Sequence, residues 1–210
     1  MALTWNAVPE GYQPFRVAVV VAHPDDEVLW AGGLLLSRPR WSLSIVTLCR
    51  GKDPDRAPRF HRVLECLKAE GAMGDLDDGP DQVPLAPEAV QEAILSLLPP
   101  GPFDLLLTHA PDGEYTWHRR HQEAARGVQS LVDQGRLVAA GLWQFAYEDQ
   151  GGAGLPRPKP DASISLPLSA ELWARKYALI TEVYGFQPAS WEARAAPRTE
   201  AFHGFGMERR

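Results

Sequence analysis

Two groups of histidine and acidic residues in this chain have the types and spacing that hydrolytic chemistry needs. The first is the run AHPDDE at residues 22–27, and the second is the pair His118 and His121. Residues three apart lie on one face of a helix, so both imidazoles could point the same way. Two histidines and a carboxylate can form a catalytic zinc site, in which a fourth position stays open for water. Zinc lowers the pKa of that water to about 7 and so supplies a nucleophile at neutral pH.

The predicted secondary structure places both groups after strands. An apolar run at 17–21 directly precedes the first group, and a predicted strand at 103–108 precedes the second. Ligands of open α/β sheets bind outside the carboxyl ends of the strands. We therefore expect the active site at that edge of the sheet, with both groups contributing to it.

Strands and helices alternate along most of the chain. We predict strands at 16–22, 43–48, 103–108, 137–147 and 164–168, and helices at 27–36, 59–70, 87–98, 118–134 and 169–184. This order predicts a single α/β domain over 1–210, a Rossmann-like three-layer sandwich with a mainly parallel sheet and helices on both faces. The remaining segments are predicted as an irregular lead-in at 1–14, a solvated acidic loop at 75–81, a Gly/Pro loop at 149–160 and a tail at 186–210.

Composition narrows the class of partner and the compartment. The net charge of -6 argues against a sequence-independent nucleic-acid partner. No stretch of about 18 apolar residues and no secretory signal is visible, so we expect neither a membrane partner nor secretion. Cys49 and Cys66 lack CxxC spacing and are expected to be buried free thiols, which fits a reducing compartment. We therefore expect a cytoplasmic protein.

The AHPDDE run at 22–27 resembles the signature of the LmbE-like, or PIG-L-type, zinc-dependent N-deacetylases. The HxxH pair at 118–121 resembles the second metal motif of that family, and the resemblance spans roughly residues 16–130. It implies three ligands of Zn2+ or another divalent metal, a general base for the attacking water, and a histidine that stabilises the oxyanion or protonates the leaving amine. The implied ligands are His23, Asp26 and His121, the implied base is Asp25, and the remaining histidine is His118.

The resemblance also implies a small-molecule N-acetylated substrate. The family typically acts on the acetamide of an N-acetylglucosamine-type sugar and releases acetate and a free amine. Tyr115 is implied as a second oxyanion donor and Arg59 as a substrate contact. The aromatic C-terminal region could pack against a second copy, so a homo-oligomer is a candidate assembly.

The second motif departs from the family pattern, because Arg120 stands where an acidic residue is usual. A neighbouring cation disfavours protonated His118, which favours an oxyanion role over an acid role. The departure also leaves open a metal-binding protein of the same fold that has lost catalysis. A metal-dependent phosphoesterase would need a second metal about 3.5–4 Å from the first, and no second His/Asp cluster is visible for it.

Three further residues have two interpretations each. His109 could face the site from its strand end or be a hydrogen-bonded structural histidine. His203 could fold back over the site, although a surface position is favoured. Trp117, next to the second motif, could line the mouth of the pocket.

Overall fold

A seven-stranded sheet forms the centre of the computed structural model, which describes residues 14–115 and 117–206. In chain order the strands are β1 (Arg16–Val21), β2 (Ser42–Cys49), β3 (Glu70–Leu76), β4 (Leu105–Thr108), β5 (Gly141–Phe145), β6 (Tyr147–Glu148), β7 (Arg157–Pro158), β8 (Ile164–Pro167) and β9 (Thr199–Gly206). The order across the sheet is β3-β2-β1-β4-β5-β9-β8, and β6 pairs with β7 separately. Neighbours from β3 to β5 run parallel, whereas β9 is antiparallel to both β5 and β8.

Helices cover both faces of this sheet, so the predicted fold class is confirmed. They are α1 (Asp26–Leu36), α2 (Arg56–Leu67), α3 (Pro87–Leu97), α4 (Arg119–Asp133), α5 (Ala170–Ala178), which continues as a π-helical turn (Leu179–Val183), and α6 (Trp191–Ala195). The surroundings of β1 explain why every residue at 17–21 is apolar. Val19 belongs to the core that includes residues of α1 and α2, and Val20 belongs to the core that includes residues of α3 and α4. A central parallel strand is buried on both faces, which requires such a run.

Two strands of the central sheet were missed by the sequence prediction, and the two-residue strand β7 lies in the predicted Gly/Pro loop. β3 was predicted as a helix end followed by a loop, but the chain leaves α2 through Lys68 at a φ of 53° and then pairs with β2. β3 lacks apolar alternation, and a side chain at Gly71 would meet the Ile45 carbonyl at 2.2 Å. β9 was predicted as an irregular tail, yet it lies between β5 and β8. Its pairing partners are distant in sequence, so no local period reveals it.

A buried ion pair joins β9 to the helices. Lys176 in α5 donates to Glu200 in β9 at 2.7 Å, and both side chains are fully buried. Glu200 also accepts hydrogen bonds from the amides of Gly33 and Leu34, each at 2.7 Å. A side chain at Gly33 would lie 2.5 Å from Leu168, which explains why this close contact needs glycine. The C-terminal strand is thereby held against α1.

Two expectations about exposure have different outcomes. Cys49 is buried as predicted, but Cys66 is exposed on α2, so the prediction of a buried thiol is wrong there. Within the two described ranges, no helix combines the length and apolar character needed to cross a membrane. The cytoplasmic location and the oligomeric state stay predictions.

Candidate active site

The turn between β1 and α1 carries the first group of residues. His23 follows the strand, and α1 begins at Asp26. Asp25 between them has a φ of 130°, a conformation that residues other than glycine rarely adopt and that is found most often at functional sites. The Asp25 carbonyl accepts hydrogen bonds from the amides of Val28 and Leu29 at 3.0 and 2.8 Å. The first turn of the helix thus stabilises the strained residue.

Three side chains from this turn and from α4 converge on one point. His23 Nδ1 lies 3.3 Å from Asp26 Oδ2, and His121 Nε2 lies 3.4 Å from the same oxygen and 3.3 Å from His23 Nδ1. A tetrahedral zinc ion with ligand distances of about 2.0–2.1 Å requires ligand atoms about 3.3–3.4 Å apart. The three atoms have this spacing, so the predicted ligand set fits a zinc ion.

Two of the three triangle groups are in their metal-binding form without a metal. The third, His23, is not, because its contacts with Asp26 and Asp78 outweigh its burial and raise its pKa to about 10. Burial alone would raise the pKa of Asp26, but the imidazoles of His121 and His109 hold that pKa well below its usual range. Burial lowers the pKa of His121 and so favours its neutral form. An ionised carboxylate and a neutral imidazole are the forms that bind metals.

Asp25 lies beside the triangle and has a different partner. Its Oδ2 is 3.5 Å from Arg56 Nη1, which is a long contact for an ion pair. Burial and the negative charge of Asp26 raise the pKa of Asp25 well above the ordinary value of an aspartate. Such a carboxyl group can exchange protons nearer neutral pH than an exposed one.

His118 stacks on His121 with ring centroids 4.3 Å apart. Burial and the neighbouring imidazoles of His121 and His23 lower the pKa of His118 to about 3. The expected influence of Arg120 is not the cause, because that side chain bonds to the Val83 carbonyl at 2.9 Å. It also pairs with Glu123 at 2.6 Å. His118 is therefore neutral, for a different reason from the one predicted.

A cavity of about 270 Å³ opens over these residues. One wall is aromatic, with the rings of Tyr115 and Trp191 4.6 Å apart. Burial raises the pKa of Tyr115, so its hydroxyl keeps its proton. Charged side chains also line the cavity, and they include Arg50, Arg56, Asp78 and Glu192.

Several residues of this site were missed by sequence reasoning. Asp78 belongs to the acidic loop that was predicted to be solvated, yet its Oδ1 lies 3.2 Å from His23 Nε2. Glu114 is fully buried, and its Oε2 lies 2.6 Å from His121 Nδ1. His109, for which the sequence left two interpretations open, is buried and stacks on His121 with ring centroids 3.9 Å apart, and its Nε2 lies 3.4 Å from Asp26 Oδ2. Only the acidic character of residues 75–81 could have indicated Asp78, and nothing near residue 191 indicated Trp191.

Three predicted candidates lie away from both the triangle and the cavity. Arg59 is held by Asp55 at 2.7 Å and by the Tyr184 carbonyl at 2.6 Å, while Arg56, one turn earlier, faces the cavity instead. His203 lies in β9, 3.9 Å from Asp161. Trp117 is 81% exposed and lines a separate groove between α3 and α4.

Comparisons with known proteins add solved structures of similar fold. No protein-family model matches the chain, and no curated protein sequence does. The 4-carboxy-2-hydroxymuconate hydratase GalB from Pseudomonas putida KT2440 is 15% identical and aligns over 93% of this chain and 97% of its own, with a TM-score of 0.61. The N,N'-diacetylchitobiose deacetylase from Pyrococcus horikoshii is 13% identical over 91% and 84%, with a TM-score of 0.62. The zinc-inhibited form of teicoplanin deacetylase Orf2 is 14% identical over 90% and 97%, with a TM-score of 0.57.

Identities this low establish similarity of fold and not of activity. The alignments nevertheless extend over most of each chain, so the similarity includes the sheet and the elements that carry the candidate site. The chain has the fold of a group of solved structures that contains deacetylases, as the resemblance in its sequence implied, and this group also contains a hydratase.

Proposed function

We propose that this protein is a metal-dependent N-deacetylase that hydrolyses an acetamide with an activated water molecule. The observation that carries the proposal is the triangle of His23 Nδ1, Asp26 Oδ2 and His121 Nε2, whose sides of 3.3–3.4 Å match a tetrahedral zinc site. Asp25 and His118 line the same cavity and supply the two further groups that hydrolysis needs. Solved deacetylases of the same fold support this assignment.

The three triangle residues would hold the ion. When bound, zinc would supply a nucleophilic water at neutral pH and polarise the acetamide carbonyl. With the ion bound, Asp26 would carry the negative charge of the set, and the two histidines would be neutral donors. The remaining cavity residues then need only to move protons and to stabilise the developing negative charge.

Asp25 is the proton carrier in this proposal. Its carboxylate takes a proton from the attacking water and passes it to the amine nitrogen as the C–N bond breaks. The contact with Arg56 holds the side chain at the cavity, and its length of 3.5 Å leaves the carboxylate available. No second acid is required.

His118 and Tyr115 would stabilise the oxyanion. A neutral imidazole still has one N–H to donate, and the pKa of about 3 for His118 makes the neutral form dominant. Among the described residues, nothing hydrogen-bonds to the buried Nδ1 of His118. The Tyr115 hydroxyl stays protonated and is a second candidate donor.

The cavity supports an amino-sugar derivative as the substrate. A sugar ring has an apolar C–H face and a rim of hydroxyl groups. The Tyr115 and Trp191 rings offer a surface for the apolar face, and Glu192 and Arg50 at the lining offer partners for hydroxyl groups. Ligand sites commonly combine aromatic walls with a few placed polar groups in this way.

The test is acetate release from a panel of N-acetylglucosaminides by protein of known zinc content. We expect close to one zinc per chain and activity on at least one substrate of the panel. Asp25→Asn should retain zinc and lose most activity, and Arg59→Gln, outside the cavity, should keep activity. Protein that holds no metal and is silent on every acetamide would contradict the proposal. Equal activity of Asp25→Asn and wild type would contradict the role of the base.

A hydratase is the second candidate, because GalB shares the fold and is a hydratase by name. Two guanidinium groups, Arg50 and Arg56, line the cavity and would suit a substrate with carboxylates. An assay of water addition to unsaturated dicarboxylates, monitored as the loss of ultraviolet absorbance, discriminates the two reactions. Zinc binding without either activity would instead support a protein of this fold that has lost catalysis.

A further inference from the structure

A buried carboxylate outside both motifs contacts His121 of the triangle and the neighbouring His109. Glu114, fully buried, places Oε2 2.6 Å from His121 Nδ1. Its other oxygen accepts a hydrogen bond from the Ala110 amide at 3.0 Å and lies 3.0 Å from His109 Nδ1. Both carboxylate oxygens of Glu114 are thus held, so its position relative to His121 is well defined.

The contact determines which nitrogen of His121 carries the proton. A carboxylate can only accept hydrogen bonds, so a neutral His121 must carry its proton on Nδ1 to make this contact. Its Nε2 then presents a lone pair, and Nε2 is the atom in the triangle with Asp26 and His23. The ring cannot turn over without breaking the 2.6 Å contact.

His23 also contacts a carboxylate outside the triangle, but its two ring nitrogens have exchanged roles relative to those of His121. Its Nε2 lies 3.2 Å from Asp78 Oδ1, and its Nδ1 is the atom in the triangle. Asp78 is held in turn by Arg50 Nη2 at 2.9 Å and by Gln82 at 3.0 Å. The two histidines therefore use opposite ring nitrogens, and each has a carboxylate on the remaining nitrogen.

We infer that Glu114 and Asp78 are positioning residues, which orient His121 and His23 so that Nε2 of the first and Nδ1 of the second face the metal. This inference rests on the proposed metal site and names residues that neither sequence motif contains. Carboxylates behind metal-binding histidines select the tautomer and raise ligand basicity, and their loss typically weakens metal affinity about 10–100-fold. Glu114 is the stronger of the two, because it is fully buried and makes the shorter contact.

A purely structural role for Glu114 is the competing explanation, since burial of any carboxylate links it to stability. The chain offers a matched control in Glu200, another fully buried carboxylate, whose partners are Lys176 and the amides of α1. Glu200→Gln should lower stability and leave metal affinity unchanged. Glu114→Gln should lower affinity in protein that is still folded.

The experiment measures zinc affinity by competition with a chelating dye, with thermal unfolding of each zinc-free variant as the folding control. We expect Kd to rise about 10-fold for Asp78→Asn and for Glu114→Gln, and about 100-fold for Glu114→Ala. Nitrogen-15 NMR of zinc-loaded wild type should show His121 protonated on Nδ1 and His23 on Nε2. This second measurement does not depend on whether a variant folds.

The outcomes separate this inference from the proposed activity. Unchanged Kd in the Glu114 and Asp78 variants, or the opposite tautomers in the NMR spectrum, would overturn the positioning roles even in an active deacetylase. A rise in Kd that Glu200→Gln reproduces would overturn them too. If the wild-type protein binds zinc but cleaves no acetamide, weaker zinc binding by the Glu114 and Asp78 variants would still support the positioning roles. That result would contradict only the proposed reaction.

Discussion

Asp25 and Asp26 are adjacent in the chain, yet their carboxylates have separate surroundings. Asp26 Oδ2 lies within 3.4 Å of His23, His109 and His121, whereas Asp25 Oδ2 lies 3.5 Å from Arg56. The start of α1 at Asp26 and the φ of 130° at Asp25 separate the two side chains. One carboxylate can therefore serve as a ligand while its neighbour handles protons.

This separation predicts opposite phenotypes for two matched variants. Asp25→Asn should bind zinc as wild type does and lose about 10²–10⁴-fold in kcat, because only the proton acceptor is removed. Asp26→Asn should lose zinc, because an amide is a weaker and uncharged ligand. Zinc content by mass spectrometry and acetate release under saturating substrate check both. Loss of zinc in Asp25→Asn would show that Asp25 is a ligand and that the division of roles is wrong.

Metal removal should lower the thermal stability of the protein. A ligand that binds only the folded state stabilises it by about 2.7 kcal/mol when present at 100 times its Kd, or roughly 5–10 °C in Tm for a chain of this length. Thermal unfolding with and without a chelator measures the difference. His121→Ala is the control, because it should unfold at the same temperature in both conditions. An equal chelator effect in His121→Ala would place the metal elsewhere.

The protonation state of His118 can be tested in metal-free protein. Its pKa is about 3 when folded against 6.5 for an unperturbed histidine, so the folded state binds fewer protons between these values. By linkage, His118 therefore contributes a loss of stability as the pH falls from about 6.5 towards 3. Its NMR signals should remain those of a neutral ring at pH 5. A midpoint near pH 6.5 would contradict the buried, neutral imidazole.

Arg120 and Arg119 form a natural pair for testing the unusual second motif. The Arg120 side chain is 1% exposed and is bonded to Glu123 and to the loop at residues 77–83, whereas Arg119 is exposed. Arg120→Asp should cost about 3–5 kcal/mol, because it leaves Glu123 facing a second negative charge. Arg119→Asp should change stability by less than about 0.5 kcal/mol. Urea unfolding measures both.

The catalytic activity of Arg120→Asp gives a second measurement of the role of Arg120. Restoring an acidic residue at 120 should not raise kcat, because the loop that carries Asp78 loses its anchor. If Arg120→Asp were more active than the wild type, Arg120 would act on the chemistry of the neighbouring histidines. Its role would then not be only to anchor the loop at residues 77–83.

The sequence by itself determined the fold class and the core of the candidate site. A buried apolar strand followed by His23, Asp25 and Asp26 is a local pattern, and the resemblance it carries extends to His118 and His121. The structure brings these residues together at one sheet edge. Their roles as ligands, base and oxyanion donor stay predictions until metal and activity are measured.

Only the tertiary structure decided how those residues are supported. Asp78, Glu114 and Trp191 reach the site from a polar loop, a turn and the C-terminal region, where neither periodicity nor spacing distinguishes them from solvated residues. β3 and β9 were missed for the same reason, since the partners that make them strands are distant in sequence. Local patterns report which residue types are present along one element. Contacts between elements depend on how the whole sheet assembles, and the tautomers, charges and cavity walls follow from those contacts.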